Sequence, residues 1–200
     1  MNEKKKRWLI ISIAIGVLLI LYFLKNSSMF VRVAGFVIGF LIFYFLDTFF
    51  KINFQPKHYL YILIILTSGI LLAPLYFLSE NYDKILHLVS PILGSTLIFY
   101  MINNQRLNFQ WKLLITFMFI LSFLTLHEIG EYLIDLLWDF KLQGVYIRDF
   151  SGIEKLNLTM SKIDDTMIDL IMGTLGGIVF VIGKTIPYLW KKKKRSEKKK

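Results

Sequence analysis

The chain has 200 residues, of which 56% are hydrophobic and 19% charged, with a formal net charge of +10 and no cysteine. A soluble domain of this size could not bury so much apolar surface, whereas a lipid bilayer accepts it, so the composition excludes an ordinary soluble fold. The absence of cysteine excludes disulfides and thiolate metal sites. Any metal ion would therefore have to be held by His, Asp or Glu.

Six apolar segments predict transmembrane helices, because helices leave no backbone groups unpaired in lipid and about 20 residues cross the hydrocarbon. In chain order they cover residues 8–24, 29–50, 59–78, 85–102, 111–138 and 166–190. The predicted fold class is all-α, a polytopic transmembrane helix bundle with about six spans. The first segment is interpreted as a retained anchor, since no small-residue cleavage site follows it. We expect a basic tail over 1–7, two N-terminal helices over 8–58, a four-helix core over 59–190 and a second tail over 191–200.

The positive charge is concentrated at the ends of the chain and in alternate loops. Four basic residues lie in the N-terminal tail, two each in residues 51–58 and 103–112, and eight in the C-terminal tail. The positive-inside rule then places both termini in the cytoplasm of a cell-membrane protein. Basic residues that flank hydrophobic helices are typical of contacts with anionic lipid headgroups, so we expect the bilayer as partner and no nucleic acid. The oligomeric state does not follow from the sequence.

Ionisable side chains inside the predicted spans form three groups, although each such residue costs on the order of 2.5–3.5 kcal/mol at a membrane helix centre. One group begins the fourth span, one lies in the second half of the fifth, and one begins the sixth. With the cytoplasmic N-terminus, all three fall in the outer third of the membrane. In chain order the members are Asp83 and His87; His127, Glu128, Glu131 and Asp135; and Asp164, Asp165 and Asp169.

The spacing within each group favours one helix face. Asp83 lies four residues before His87, Asp165 lies four before Asp169, and Glu128 lies three before Glu131, as do neighbours on a helix surface. If these faces turn inward, several carboxylates and at least one imidazole converge. Such a set needs a cation, protons or a basic partner such as Lys84.

These residues carry a resemblance to a known family. The pattern Tyr82-Asp83-Lys84-x-x-His87, then Glu128-x-x-Glu131, then Asp165-Thr166-x-x-Asp169 and a glycine-rich stretch ending at Gly176-Gly177, resembles the YjdF-like family of uncharacterised bacterial and archaeal membrane proteins. More distantly, it is similar to the VanZ-like membrane proteins, which are associated with teicoplanin resistance and the cell envelope. The resemblance covers about residues 60–183 and implies a membrane bundle without an established activity.

Two features depart from the family pattern. His127 occupies a position where the pattern does not demand histidine, which weakens the case for it as a ligand. Gln143-Gly144 resembles the family's Gln-Gly, but about twenty residues separate it from Asp165. The role of Gln143 is therefore open at the sequence level.

Several interpretations of the polar groups remain open. Asp83, Asp164 and Asp165 suit helix N-terminal capping, which is preferred for Asp164, and Glu128 and Glu131 suit a structural hydrogen-bond network. Alternatively, His with carboxylates suits zinc, iron or manganese, and an oxygen-rich set suits magnesium or calcium. A proton or ion relay is a third interpretation. The metal-ligand candidates are Asp83, His87, Glu128, Glu131, Asp165 and Asp169.

The function predicted from the sequence is that of a multi-pass membrane protein with a polar, candidate divalent-metal site near the outer face, in cell-envelope or lipid-related biology. The cofactor expected from the residue types is a divalent metal ion of unspecified identity. One alternative is a metal-dependent membrane hydrolase acting on a lipid or envelope substrate, with Glu128 or Glu131 as general base. Another is a proton or ion relay or transport component.

Overall fold

The computed structural model describes residues 7–8, 11–12, 15–16, 27–149 and 155–198, with the backbone alone given for residues 27–31. The chain divides into two compact units, Met1–Leu78 and Ser79–Lys200. Most of the first predicted span, residues 8–24, lies outside the described residues.

The first unit is built on helix α1 (Ser27–Phe49) and helix α2 (Pro56–Leu66). Proline is accepted at the first position of α2 because its missing N–H would have no partner in the helix there. The backbone N–H of Gln55 donates to Nδ1 of His58 at 3.0 Å, which closes the start of this helix. Phe36 and Leu71 form the buried core of the unit, against which Val33, Val37, Leu63, Leu66 and Ile70 pack.

Asp47 fixes the turn between α1 and α2. Its carboxylate is buried and accepts hydrogen bonds from the backbone N–H of Phe54 at 2.9 Å and from the hydroxyl of Tyr59 at 2.5 Å. It also forms an ion pair with Nη1 of Arg7 at 2.9 Å. A carboxylate that interrupts an apolar span in the sequence is thus satisfied by three donors, which makes its burial tolerable.

The segment predicted as a third continuous span is interrupted. After α2 ends at Leu66, the backbone continues as a π-helical turn over Thr67–Leu71 and a 3₁₀ turn over Ala73–Phe77. Pro74 explains part of the break, because proline lacks the N–H that an α-helix needs and its ring crowds the preceding turn. Ser68 adds to it by donating its hydroxyl to the carbonyl of Ile64 at 2.8 Å.

The second unit consists of three long helices and a β-hairpin. The helices are α3 (Tyr82–Asn103), α4 (Phe109–Trp138) and α5 (Lys162–Glu197), and the antiparallel strands are β1 (Val145–Asp149) and β2 (Lys155–Met160). Two polar side chains start the later helices: Asn108 accepts from the N–H of Trp111 at 3.0 Å, and Ser161 accepts from the N–H of Asp164 at 3.2 Å. The hairpin lies between the fifth and sixth predicted spans, residues 111–138 and 166–190.

Glycines let α3 and α5 approach each other closely. A Cβ atom at Gly176 would overlap the backbone carbonyl oxygen of Leu88 on α3, and one at Gly177 would lie 3.0 Å from the ring of Phe117 on α4. Since a backbone carbonyl cannot move aside as a flexible side chain can, Gly176 sets the distance between these two helices. The glycine-rich stretch therefore acts in helix packing.

Within the part of the chain that the structure describes, four helices are long and apolar enough to cross a membrane: α1 over its Arg32–Phe49 stretch, and α3, α4 and α5, while Pro56–Leu71 is a shorter apolar helix. Large apolar side chains such as Leu126, Leu133 and Ile171 are exposed on the protein surface, as lipid-facing residues are. The predicted all-α, polytopic membrane fold is confirmed. Helix α5 has 36 residues and spans about 54 Å, so its basic end reaches beyond a hydrocarbon core about 30 Å thick.

Candidate functional site

The three polar groups predicted from the sequence meet at one end of the second unit, where α3 begins, α4 approaches its C-terminus and α5 begins. Nε2 of His87 lies 3.5 Å from Oδ1 of Asp83, and Nδ1 of His87 lies 3.8 Å from Oε1 of Glu128. The carboxyl groups of Asp83 and Asp169 are within hydrogen-bonding reach of each other. We call the whole set the polar cluster: Asp83, His87, His127, Glu128, Glu131, Asp165 and Asp169.

Two combinations of side chains within the polar cluster have the spacing of metal ligands. One ligand atom from each of Asp83, His87 and Asp169 lies within 4.8 Å of the others, and the same holds for His87, His127 and Glu128. His87 belongs to both combinations. The candidates Asp165 and Glu131 lie beside these sets, Asp165 on α5 and Glu131 on α4.

Buried polar atoms in the cluster lack hydrogen-bond partners. The residues His87, Glu128, Asp165 and Asp169 are between 1% and 8% exposed. Each has a buried atom without a hydrogen-bond partner among the residues that the structure describes: Nδ1 of His87, Oε1 of Glu128, and Oδ1 of Asp165 and Asp169. A buried acceptor left unsatisfied costs about 1–3 kcal/mol, and more if it is charged, so four together require another species.

Neither Lys84 nor Lys162 forms an ion pair with a carboxylate of the polar cluster. Lys84, which the sequence offers as a basic partner, donates its ammonium group to the carbonyl oxygen of Glu80 at 2.8 Å. Lys162 pairs with Asp135 at 3.2 Å, outside the polar cluster. The carboxylates of the cluster therefore need protons or a bound cation to remain buried together.

Asp135, the last acidic residue of the α4 group, has a structural role. Its carboxylate accepts the backbone N–H groups of Leu142 at 2.7 Å and Gln143 at 3.1 Å, in addition to the ammonium group of Lys162. These three bonds fold the chain back against the end of α4. Asp135 is thus fully engaged and separate from the candidate ligands.

Asp164 also stays outside the cluster. Ser161 precedes α5, and its hydroxyl donates to Oδ2 of Asp164 at 2.6 Å while accepting the N–H of the same residue. Asp164 is exposed, whereas the adjacent Asp165 is buried. Asp164 therefore takes part in capping α5, as preferred from the sequence, with Ser161 as the N-cap residue itself.

The β-hairpin brings Gln143 and Gly144 close to the start of α5. Because β1 and β2 run out and back, the chain returns after Met160 to the point that it left, and the N–H of Gly144 donates to Oδ2 of Asp165 at 2.9 Å. Nε2 of Gln143 donates to the hydroxyl of Thr166 at 3.2 Å, and Thr166 lies near the carboxyl group of Glu128. The two residues therefore lie beside the polar cluster despite their distance along the chain.

Gly144 needs to be glycine at this point. Its φ of +85° lies in the left-handed region, and a Cβ atom would lie 3.3 Å from the carbonyl oxygen of Met160. A larger residue would be strained and would crowd the end of β2, which would move the N–H that Asp165 accepts.

His127 contacts two of the candidate ligands, although the family pattern does not demand histidine at this position. Its ring meets the ring of His87 edge-on with centroids 5.4 Å apart, and its Nδ1 lies 3.7 Å from Oε1 of Glu131. The His127 side chain is 56% exposed. It marks the accessible side of an otherwise buried cluster. Its position four residues before Glu131 and next to Glu128 was the signal in the sequence that pointed to this contact.

A comparison with protein families gives a match that covers nearly the whole chain. The family model described as "Predicted membrane protein (DUF2238)" matches residues 6–187, a range that includes every member of the polar cluster. This agrees with the YjdF-like resemblance, while the VanZ-like similarity stays a prediction. Comparisons with curated proteins and with solved structures found no match. The chain therefore belongs to the DUF2238 family of predicted membrane proteins.

Proposed function

We propose that this membrane protein binds a divalent metal ion in the polar cluster. The observation that carries the proposal is the set of buried, unpartnered ligand atoms on His87, Glu128, Asp165 and Asp169, contributed by three different helices. A mixture of imidazole and carboxylate donors favours zinc, manganese or iron over calcium and magnesium, which prefer oxygen alone.

The separations inside the cluster fit metal ligands better than a hydrogen-bond network. The N–O distances of 3.5 Å and 3.8 Å around His87 are longer than good hydrogen bonds, which are typically near 2.9 Å. Two ligands bound tetrahedrally to one zinc ion, each about 2.0–2.1 Å from it, lie about 3.3 Å apart.

The site is proposed to face the outside of the cell membrane. The support is the distribution of basic residues, which puts both termini in the cytoplasm and the start of α5 on the opposite side. From there the site would be accessible to lipids and to envelope components, and the basic tails would contact anionic headgroups on the inner leaflet.

The metal proposal is tested by elemental analysis of the full-length protein, purified in detergent without a histidine tag. We expect stoichiometric zinc or manganese after loading and dialysis, and loss of most of it in Asp169→Asn. Asp164→Asn is the matched control, because it makes the same change five residues earlier on α5 at an exposed residue and should keep the metal. Sub-stoichiometric metal throughout, or equal metal in the two variants, would contradict the proposal and favour protons as the compensating species.

A second candidate function is that of a metal-dependent hydrolase. It is favoured by the accessible side of the cluster, where Glu131 lies next to the exposed His127 and belongs to neither ligand set. Glu131 is therefore better placed than Glu128 to take the proton of an attacking water. That water would add to the carbonyl of a lipid ester and release an acid and an alcohol.

The hydrolase candidate is tested with p-nitrophenyl acetate, p-nitrophenyl butyrate and a fluorogenic phospholipid ester. If the protein is a hydrolase, the metal-loaded wild type should hydrolyse at least one of these esters. The rate should fall by at least about 100-fold in Glu131→Gln, as expected when a general base is removed. The variant should keep its metal. Turnover that is unchanged in Glu131→Gln, or absent in the loaded wild type with all three probes, would refute an esterase.

A further inference from the structure

We propose that the polar cluster binds two metal ions, one at each ring nitrogen of His87, with the imidazole as the bridge between them. This inference rests on the proposed metal-binding function and goes beyond it, because it adds a second position and makes His127 a ligand.

The orientation of His87 carries the inference. Its Nε2 faces Asp83 at 3.5 Å, and its Nδ1 faces Glu128 at 3.8 Å. The two nitrogens of an imidazole point away from each other, so one ion cannot be bound by both. Asp83 and Glu128 therefore lie on opposite sides of one ring. We accordingly assign the ligand set of Asp83, His87 and Asp169 to Nε2 and the set of His87, His127 and Glu128 to Nδ1.

Unsatisfied atoms occur on both sides of that ring. Oδ1 of Asp169 belongs to the first side, and Nδ1 of His87 with Oε1 of Glu128 belong to the second. A single ion on the Asp83 side would leave the second pair buried without partners, which is costly for buried polar atoms. An ion at each position satisfies all three atoms.

Charge balance points in the same direction. The cluster contains five carboxyl groups, and one divalent ion would leave three negative charges uncompensated when all are ionised. For both nitrogens to bind metal, His87 must release its N–H proton to solvent and become imidazolate. Two divalent ions then leave two negative charges, even with the extra charge of the imidazolate included. One of these two charges is stabilised by a hydrogen bond, because Asp165 accepts the N–H of Gly144 at 2.9 Å.

The bridge predicts a definite geometry. With metal–nitrogen bonds of about 2.0 Å on either side of the ring, the ions would lie about 6 Å apart. This is wider than the roughly 3.5–4 Å of sites in which carboxylates or water bridge two metals. Two paramagnetic ions at this distance, joined through an imidazolate, couple to each other, whereas ions bound elsewhere on the surface do not.

The experiment loads the purified full-length protein with Cu²⁺, counts the ions per chain and records the electron paramagnetic resonance spectrum. We expect two ions and a coupled signal in the wild type, and one uncoupled ion in each of Asp83→Asn and His127→Gln. Asp164→Asn should behave as the wild type. His127 is exposed, so its variant tests the second position with little risk to folding.

Each other outcome has a distinct meaning. One ion in the wild type, or two ions without coupling, would overturn the bridged pair while leaving a single metal site intact. Two coupled ions in His127→Gln would remove His127 from the site and refute this ligand set. No bound ion in the wild type would overturn both the pair and the proposed function.

Discussion

Asp135→Asn offers a quantitative test of how the end of α4 is held. The wild-type carboxylate accepts three hydrogen bonds, from the N–H groups of Leu142 at 2.7 Å and Gln143 at 3.1 Å and from Lys162 at 3.2 Å. An asparagine keeps one acceptor oxygen, so its NH₂ group must face a donor. Losing one buried bond to a charged group costs about 1.5–3 kcal/mol. The half-exposed Lys162 pair adds about 0–1 kcal/mol after allowance for solvent screening.

The expected loss is therefore about 1.5–4 kcal/mol, which corresponds to a fall in Tm of about 3–16 °C for a chain of this size. Thermal unfolding in detergent, followed by circular dichroism, measures it. Asp139→Asn is the control, since it makes the same change four residues later at an exposed carboxylate that pairs with Lys141 at 2.8 Å. Equal Tm values for the two variants would refute the structural role. Metal binding should survive in both, because neither residue is a proposed ligand.

Three further predictions concern other parts of the chain. Asp47→Asn should destabilise the first unit by about 3–5 kcal/mol, because it breaks a buried ion pair, and an unchanged Tm would contradict this. Gly176→Ala should destabilise the second unit by about 1–3 kcal/mol through its clash with the α3 backbone, whereas Gly183→Ala, with open space around it, should be neutral or stabilising by up to about 1 kcal/mol. In intact cells, a membrane-impermeant maleimide should label Asn157→Cys directly and Ser196→Cys only after permeabilisation, and the reverse pattern would reject the proposed orientation.

The convergence of the polar groups could be predicted from the sequence, because it depends on two simple periodicities. Spacings of three and four residues put Asp83 with His87, and Asp165 with Asp169, on single helix faces. Alternating span direction brings the start of one helix level with the end of the next. Neither inference requires knowledge of side-chain conformations, so the structure's grouping of these residues follows from helix geometry.

The sequence did not show which neighbouring residues join the polar cluster or where a helix breaks, because these features depend on local contacts. Asp164 and Asp165 are adjacent and chemically identical, yet only Asp165 turns inward, because α5 begins with Ser161 as its cap. Gln143 returns to Asp165 only because β1 pairs with β2, and short strands of mixed polarity are weak signals in a sequence. The break after Leu66 could not be predicted from the sequence either, since one proline in an apolar run is compatible with a kinked helix or with a broken one.

The most direct test of a metal centre built around His87 is X-ray absorption at the zinc edge of the zinc-loaded, tag-free protein. The account predicts a shell of nitrogen and oxygen ligands at about 2.0–2.1 Å, together with the outer-shell scattering of a bound imidazole. A shell made of oxygen ligands alone, with no imidazole contribution, would contradict it.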